Sequence, residues 1–341
     1  MPPRASGPQV ATWRCWPGLL ERLRRDDAGP PQGDAPLLPL GATTRPAQRR
    51  WTRYCPAQSK PDGDMIRIVT DSSCDLPDDA VARHRIEVVP LTIRFGEEEF
   101  VDREQLSGDE FWRRLTTGTS LPETAAPPVG RFQQAFNRLV SGGADGIVVI
   151  CISSKISATL QSANLAAEQF SAGVPVRVVD SGLVSAALGL AAIAAAELAA
   201  SGAPIDEVEA AARSACERGR IYVTPDTLEY LRRGGRIGGA QALIGGLLDV
   251  KPLIAFEDGR VAAAGRVRSR KKALAAILDH VAEQGGAVDR LAVVHSDPED
   301  LPQFLTSLRE VYPDEPMVAR IGSVVGTHIG PNSLGVTYLV R

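Results

Sequence analysis

Short apolar runs alternate with longer segments of helical period from residue 66 to residue 200. The runs at 66–70, 87–95, 146–152 and 175–180 are rich in Val and Ile and bounded by Asp, Ser, Gly or Pro, the pattern of buried strands. Between them the apolar spacing predicts helices over 77–85, 108–116, 128–141, 157–171 and 183–201. Ser107 and Glu110 form a capping box before the second of these, and Pro127-Pro128 opens the third. Strand–helix alternation predicts βαβ units and a parallel sheet. Beyond a further helix at 205–218 and a strand at 220–223 the texture changes. A short helix over 226–233 ends at Gly234-Gly235, and a glycine-rich apolar stretch covers 236–248. Strands over 252–256 and 260–267 flank Asp258-Gly259, a type I′ hairpin signal. Helices over 271–283 and 298–311 and strands near 290–295, 317–321 and 335–340 complete the chain. The expected fold class is α/β: a parallel-sheet N-terminal domain over 65–219, then an α+β domain over 220–341.

Residues 1–64 are rich in Pro, Arg and Gly and carry neither period. With no continuous apolar core they do not read as a signal peptide. They read as a disordered extension or a mis-called start, because Met65 opens directly onto the first strand. A fragment Met65–Arg341 is expected to melt with the full chain and to bind the same ligand. Parallel thermal melts and ligand titrations check this; a markedly lower midpoint or a lost ligand would make the tail structural.

The segment from Gly182 to Ala200 has the length of a membrane span, yet it is mostly Ala and contains Ser185 and Glu197. Alanine drives insertion weakly, so a helix buried against the sheet is expected, without stable membrane insertion. The 44% hydrophobic and 23% charged composition supports a sizeable core. A net charge of -3 and only 5% aromatics argue against nucleic-acid binding. Five cysteines without a Cys-x-x-Cys pair argue against zinc ribbons and thiol redox chemistry, and point to a reducing cytoplasm. No P-loop, dinucleotide fingerprint, His-Glu-x-x-His or EF-hand pattern appears, so no cofactor and no metal is expected.

Three predicted strands end in hydroxyl-bearing turns: Thr70-Asp71-Ser72, Ser153-Ser154 and Asp180-Ser181. Ligands of open parallel sheets bind outside the strands' carboxyl ends, and such turns suit a carboxylate or a phosphate. His328 stands among glycines and polar turn residues from Gly326 to Gly335, a setting that fits anion contact. Ser72 or Ser154, His328 and Asp71 or Asp180 are also the parts of a Ser/His/Asp hydrolase or acyltransferase acting on a lipid ester. Gly-x-Ser-x-Gly is absent, however. The basic run Arg266, Arg268, Arg270, Lys271 and Lys272 reads as a solvated face or as a docking patch for an acidic partner.

Taken together, the motifs resemble the DegV family of lipid-binding proteins over about 65 to 341. The ordered set is Thr70-Asp71-Ser72, Leu121-Pro122-Glu123-Thr124-Ala125-Ala126-Pro127, Ile152-Ser153-Ser154-Lys155-Ile156-Ser157-Ala158-Thr159, Asp180-Ser181, Leu231-Arg232-Arg233-Gly234-Gly235-Arg236, Lys251-Pro252, Val267-Arg268-Ser269 and His328. The resemblance implies a long-chain fatty acid buried between two domains. It also implies a carrier role without catalysis: the acyl carboxylate is presented to a separate ATP-dependent fatty acid kinase, in the cytoplasm, within phospholipid synthesis by way of an acyl phosphate. By that analogy Thr124, Ser153, Ser154 and His328 meet the carboxylate and Arg268 engages the kinase, while Asp71, Ser72 and Ser181, from the strand-end turns, are candidates to line the pocket. The loop departs from the family's pattern, because Glu123 would repel a carboxylate if it faced the pocket, and two positions that are commonly polar are Ala125 and Ala126.

Overall fold

The computed structural model describes residues 65–118, 120–244 and 250–341, all within one compact unit, Arg49–Arg341. The expectation for residues 1–64 lies outside the described residues.

The apolar run Gly146–Cys151 is buried at every position because its sheet is covered on both faces. This sheet is four-stranded and parallel, in the order β2-β1-β6-β7, with β1 Ile66–Asp71, β2 Glu87–Val89, β6 Gly146–Cys151 and β7 Val176–Asp180. Helices α3 Val129–Ser141 and α4 Thr159–Glu168 cover one face, packing Phe132, Phe136, Ala163 and Ala166 on Val69, Ile147 and Val149. The opposite face receives α5, Ser185–Ala200, and α6, Ile205–Glu217. Residues 65–89 also carry the short helix α1, Asp78–Arg83.

The expected strand over 87–95 is broken at Pro90, which has no N–H for a ladder. Its second half, β3 Thr92–Phe95, turns away and pairs antiparallel with β4 Glu98–Val101 and with β5 Glu123–Ala125. The stretch read as a loop between 119 and 128 therefore contains an edge strand. Helix α2, Gly108–Thr117, begins on the expected cap, with Ser107 Oγ accepting from Glu110 N at 3.3 Å.

Every strand from Gly219 onward builds a second, six-stranded sheet in the order β10-β9-β8-β13-β11-β12. Its strands are β8 Gly219–Thr224, β9 Lys251–Glu257, β10 Arg260–Val267, β11 Val288–His295, β12 Met317–Arg320 and β13 Leu334–Val340. The β9–β10 hairpin turns at Asp258 and Gly259, with φ of 47° and 73°, as a type I′ turn requires. Helices α8 Arg270–Gln284 and α9 Leu301–Val311 cover one face through Ile277, Val281, Phe304 and Leu308. Two short helices complete the set: α7, Glu229–Arg233, and α10, Ser323–Ile329.

The alanine-rich α5 is packed against β1 of the first sheet and against β11 and β13 of the second. Its small side chains permit this double contact, and twelve of its sixteen residues are buried. Among the described residues no helix is long and apolar enough to cross a membrane. One apolar cluster, including Ile68, Leu188, Ile254 and Val294, is thus continuous from the parallel sheet to the six-stranded one.

Candidate functional site

Edge pairing decides which way the 123–125 segment faces. Thr124 pairs with Ile93 and Glu123 with Arg94, and alternate residues of a strand point to opposite faces. Glu123 is exposed and bonds the Arg94 guanidinium, so its charge faces solvent. Thr124 turns inward, and its Oγ1 lies 3.0 Å from Nε2 of His328. His328 does not sit in a turn, as its glycine neighbours led us to expect, but in the last turn of α10. Its Nδ1 is buried with no hydrogen-bond partner among the described residues. Gly234 backs onto this nitrogen: a Cβ there would fall 2.2 Å from it. Burial pushes the imidazole down to about 4, and the Arg236 cation adds to the shift, so His328 is neutral at pH 7.

These two residues stand at a cavity of about 260 Å³ whose walls come from the six-stranded sheet, the edge strand β5, the loops that follow β2 and β6, and α10. Ile221, Ile254, Phe256, Val294, Ile321 and Val324 give it an apolar interior. Among the described residues its polar lining is Thr124, Ser157, Ser185, Arg236 and His328, and none of them is acidic. Arg236 reaches it because Gly235, at φ 68°, reverses the chain after α7. The guanidinium is held by Nε to Ile156 O at 3.3 Å and Nη1 to Gly234 O at 2.7 Å. Its third nitrogen, Nη2, makes no hydrogen bond among the described residues. Ser157 Oγ accepts from Thr159 N at 3.2 Å and lies 2.9 Å from Thr159 Oγ1. The arrangement offers hydroxyls, an imidazole and one fixed cation at the edge of an apolar volume, which suits an amphiphile with an anionic head.

The other residues singled out from the sequence lie elsewhere. Ser153 is buried and donates to Gly259 O at 2.8 Å, fastening the β9–β10 hairpin to the turn after β6. Ser154 is exposed; its amide donates to Asp180 Oδ1 at 3.1 Å and its hydroxyl bonds the same carboxylate. Asp71 is fully buried and accepts from Ile152 N at 2.7 Å and Ser73 N at 3.0 Å, a bracket between strand ends. Burial raises its carboxyl, opposed by those hydrogen bonds. Ser72 Oγ accepts from Leu91 N at 3.1 Å, and Ser181 Oγ from Leu183 N at 3.0 Å. None of these five lines the cavity. Ser153, Asp180 and Ser181 instead border a separate polar cleft of about 690 Å³ beside the hairpin. The Ser/His/Asp relay does not assemble, since the partner of His328 is Thr124 and the Ser154–Asp180 pair is apart from it.

Sequence reasoning passed over Ser157 and Arg236. Ser157 is four residues beyond the strand-end serine that drew attention, one turn later on the same motif. Arg236 stood in a glycine cluster that reads equally well as a helix C-cap. Among the described residues no group of three or more His, Cys, Asp or Glu is placed to hold a metal ion.

Residues 65–341 match the family described as uncharacterised proteins of the DegV family. A DegV domain-containing protein of Streptomyces coelicolor is 40% identical over 280 residues, covering 81% of this chain and 99% of that one. A DegV family protein from Thermus thermophilus, described by its fatty acid binding, superposes with a TM-score of 0.75 at 32% identity, covering 81% of this chain and 100% of that one. DegV of Bacillus subtilis, described as a fatty acid binding protein, superposes with a TM-score of 0.74 at 32% identity, covering 82% and 100%.

Proposed function

Because this chain belongs to the DegV family, we propose that it binds one long-chain fatty acid in the cavity between its sheets, with the carboxylate against Thr124, Ser157, Arg236 and His328. The observation that carries this reading is an apolar cavity whose polar lining, among the described residues, contains a fixed guanidinium and no acid. Solved relatives described as fatty acid binding support it. Burying a methylene contributes about 0.8 kcal/mol, so a tail of about sixteen carbons offers on the order of 11 kcal/mol before ordering costs. Mass spectrometry of an organic extract of the purified protein tests the reading: a stoichiometric fatty acid is expected, and a protein that neither carries one nor takes one up on titration refutes it.

The division into lobes at about residue 219 belongs to the same proposal. It is supported by the second sheet's taking all of its strands from Gly219 onward. So does the carrier role, in which a separate ATP-dependent kinase phosphorylates the bound carboxylate. The chain's lack of a nucleotide motif and its exposed basic run support this role. Within that run Arg270 is committed to Asp300 at 2.6 Å and to Asn332 O at 2.6 Å, and Arg266 to Ala242 O. Arg268, Lys271 and Lys272 are exposed. Arg268→Ala is expected to leave fatty-acid affinity unchanged and to slow phosphorylation by the cognate kinase. The difference should shrink with salt, since exposed charges are screened over about 10 Å at 0.1 M. Loss of lipid with kinase binding intact would move Arg268 out of the docking role.

A further inference from the structure

Helix α10 carries His328 but has no cap of its own. Its N-cap is Gly322, whose N–H donates to Asp75 Oδ1 at 2.9 Å. The other carboxyl oxygen, Asp75 Oδ2, lies 2.5 Å from Ser185 Oγ, on the first residue of α5. One carboxyl therefore joins the turn after β1, the start of α5 and the start of α10. Asp75 and Ser185 both hold left-handed backbone, with φ of 50° and 58°. Non-glycine residues adopt it rarely, and it persists where the surroundings enforce it, often near functional sites. Asp75 is 6% exposed. Ser185 lines the cavity, and His328 follows Gly322 by six residues, roughly 9 Å along the helix axis.

We infer that Asp75 is a positioning residue for the head-group site: by fixing the start of α10 it sets the place of His328 against Thr124. The inference rests on the fatty-acid reading above for its binding consequence, but not for its geometric one.

The groups around Asp75 give it a pH signature. Burial pushes its carboxyl up to about 7; the Ser185 and Gly322 hydrogen bonds oppose this, the Asp102 carboxylate adds to it, and the Arg103 cation opposes it. The buried Cys74 thiol is its immediate neighbour, and Asp71 lies on the same turn. A raised acid binds a proton more readily folded than unfolded, so its contribution is present at low pH and lost as pH rises through about 7. Asn at this position keeps both bonds, with Oδ1 accepting from Gly322 N and Nδ2 donating to Ser185, and carries no charge.

The test measures fatty-acid affinity, and stability at acid and alkaline pH, for wild type, Asp75→Asn and Asp75→Ala, together with the His328 imidazole NMR resonance in lipid-free protein. Wild type is expected to lose stability as pH rises through about 7, and Asp75→Asn to bind comparably with a flatter stability profile and an unmoved resonance. Asp75→Ala should lose affinity on the order of tenfold and shift the resonance. A folded Asp75→Ala protein with wild-type affinity and an unmoved resonance overturns the inference. Should the alanine variant not fold, Asp75→Ser, whose side chain is too short to span Gly322 N and Ser185 Oγ, takes its place and overturns the inference on the same terms. If wild type binds no fatty acid, the functional reading fails, and the His328 resonance still decides the positioning role.

Discussion

Replacing Arg236 by Ala is expected to reduce fatty-acid affinity by about 10- to 100-fold while leaving the fold intact. Arg236 is the one cation lining the cavity among the described residues. A hydrogen bond to a charged group is worth about 1.5–3 kcal/mol, which sets that range. The residue should contribute near the top of it for two reasons. His328, held neutral by burial, supplies no charge of its own, so the ligand carboxylate would be left with hydroxyls and an imidazole. The guanidinium is also already oriented by Ile156 O and Gly234 O, so little ordering is lost on binding. Arg236→Lys should recover part of the affinity, because an ammonium supplies charge without the planar fork. Titration with a fluorescent fatty acid measures both variants. An alanine variant that binds as wild type would place the carboxylate elsewhere, and the cavity would lose its assigned head end.

The second large effect is on stability and leaves binding untouched. Phe136→Ala should destabilise the protein by about 3–5 kcal/mol. Phe136 is fully buried on α3, with its ring edge-on to Phe170 at 5.4 Å and tilted against Phe132 at 6.2 Å. This cluster lies on the face of the parallel sheet away from α5, and none of its buried members lines the cavity. The melting temperature should fall on the order of 10 °C. Affinity at 25 °C should stay at the wild-type value. A variant that loses lipid at temperatures where it remains folded would show that the two faces of the sheet are coupled, contrary to the separation seen in the packing.

The two effects divide along the line between local pattern and distant closure. Much of the backbone followed from local pattern. The run from Gly146 to Cys151 is apolar at every position because both faces of its sheet are covered, and that is visible without coordinates. Asp258-Gly259 announced its hairpin because few residues accept positive φ twice in succession. The alanine content of α5 foretold burial between close-packed layers. The small β4-β3-β5 sheet was not legible, since three- and four-residue strands show almost no period and its order depends on pairing across about thirty residues. The site divided in the same way. Thr124 and His328 were marked by their motifs, but their 3.0 Å contact joins residues 204 apart in the chain. Ser153 and Ser154 looked like ligand donors because they end a strand, whereas their directions are set by Gly259 and Asp180, partners fixed only after the hairpin and β7 are in place. Arg236 and Ser157 enter the site for the converse reason: the cavity is a volume closed by distant segments, and a sequence carries side-chain identity and local period but not the enclosure that gives a side chain its ligand.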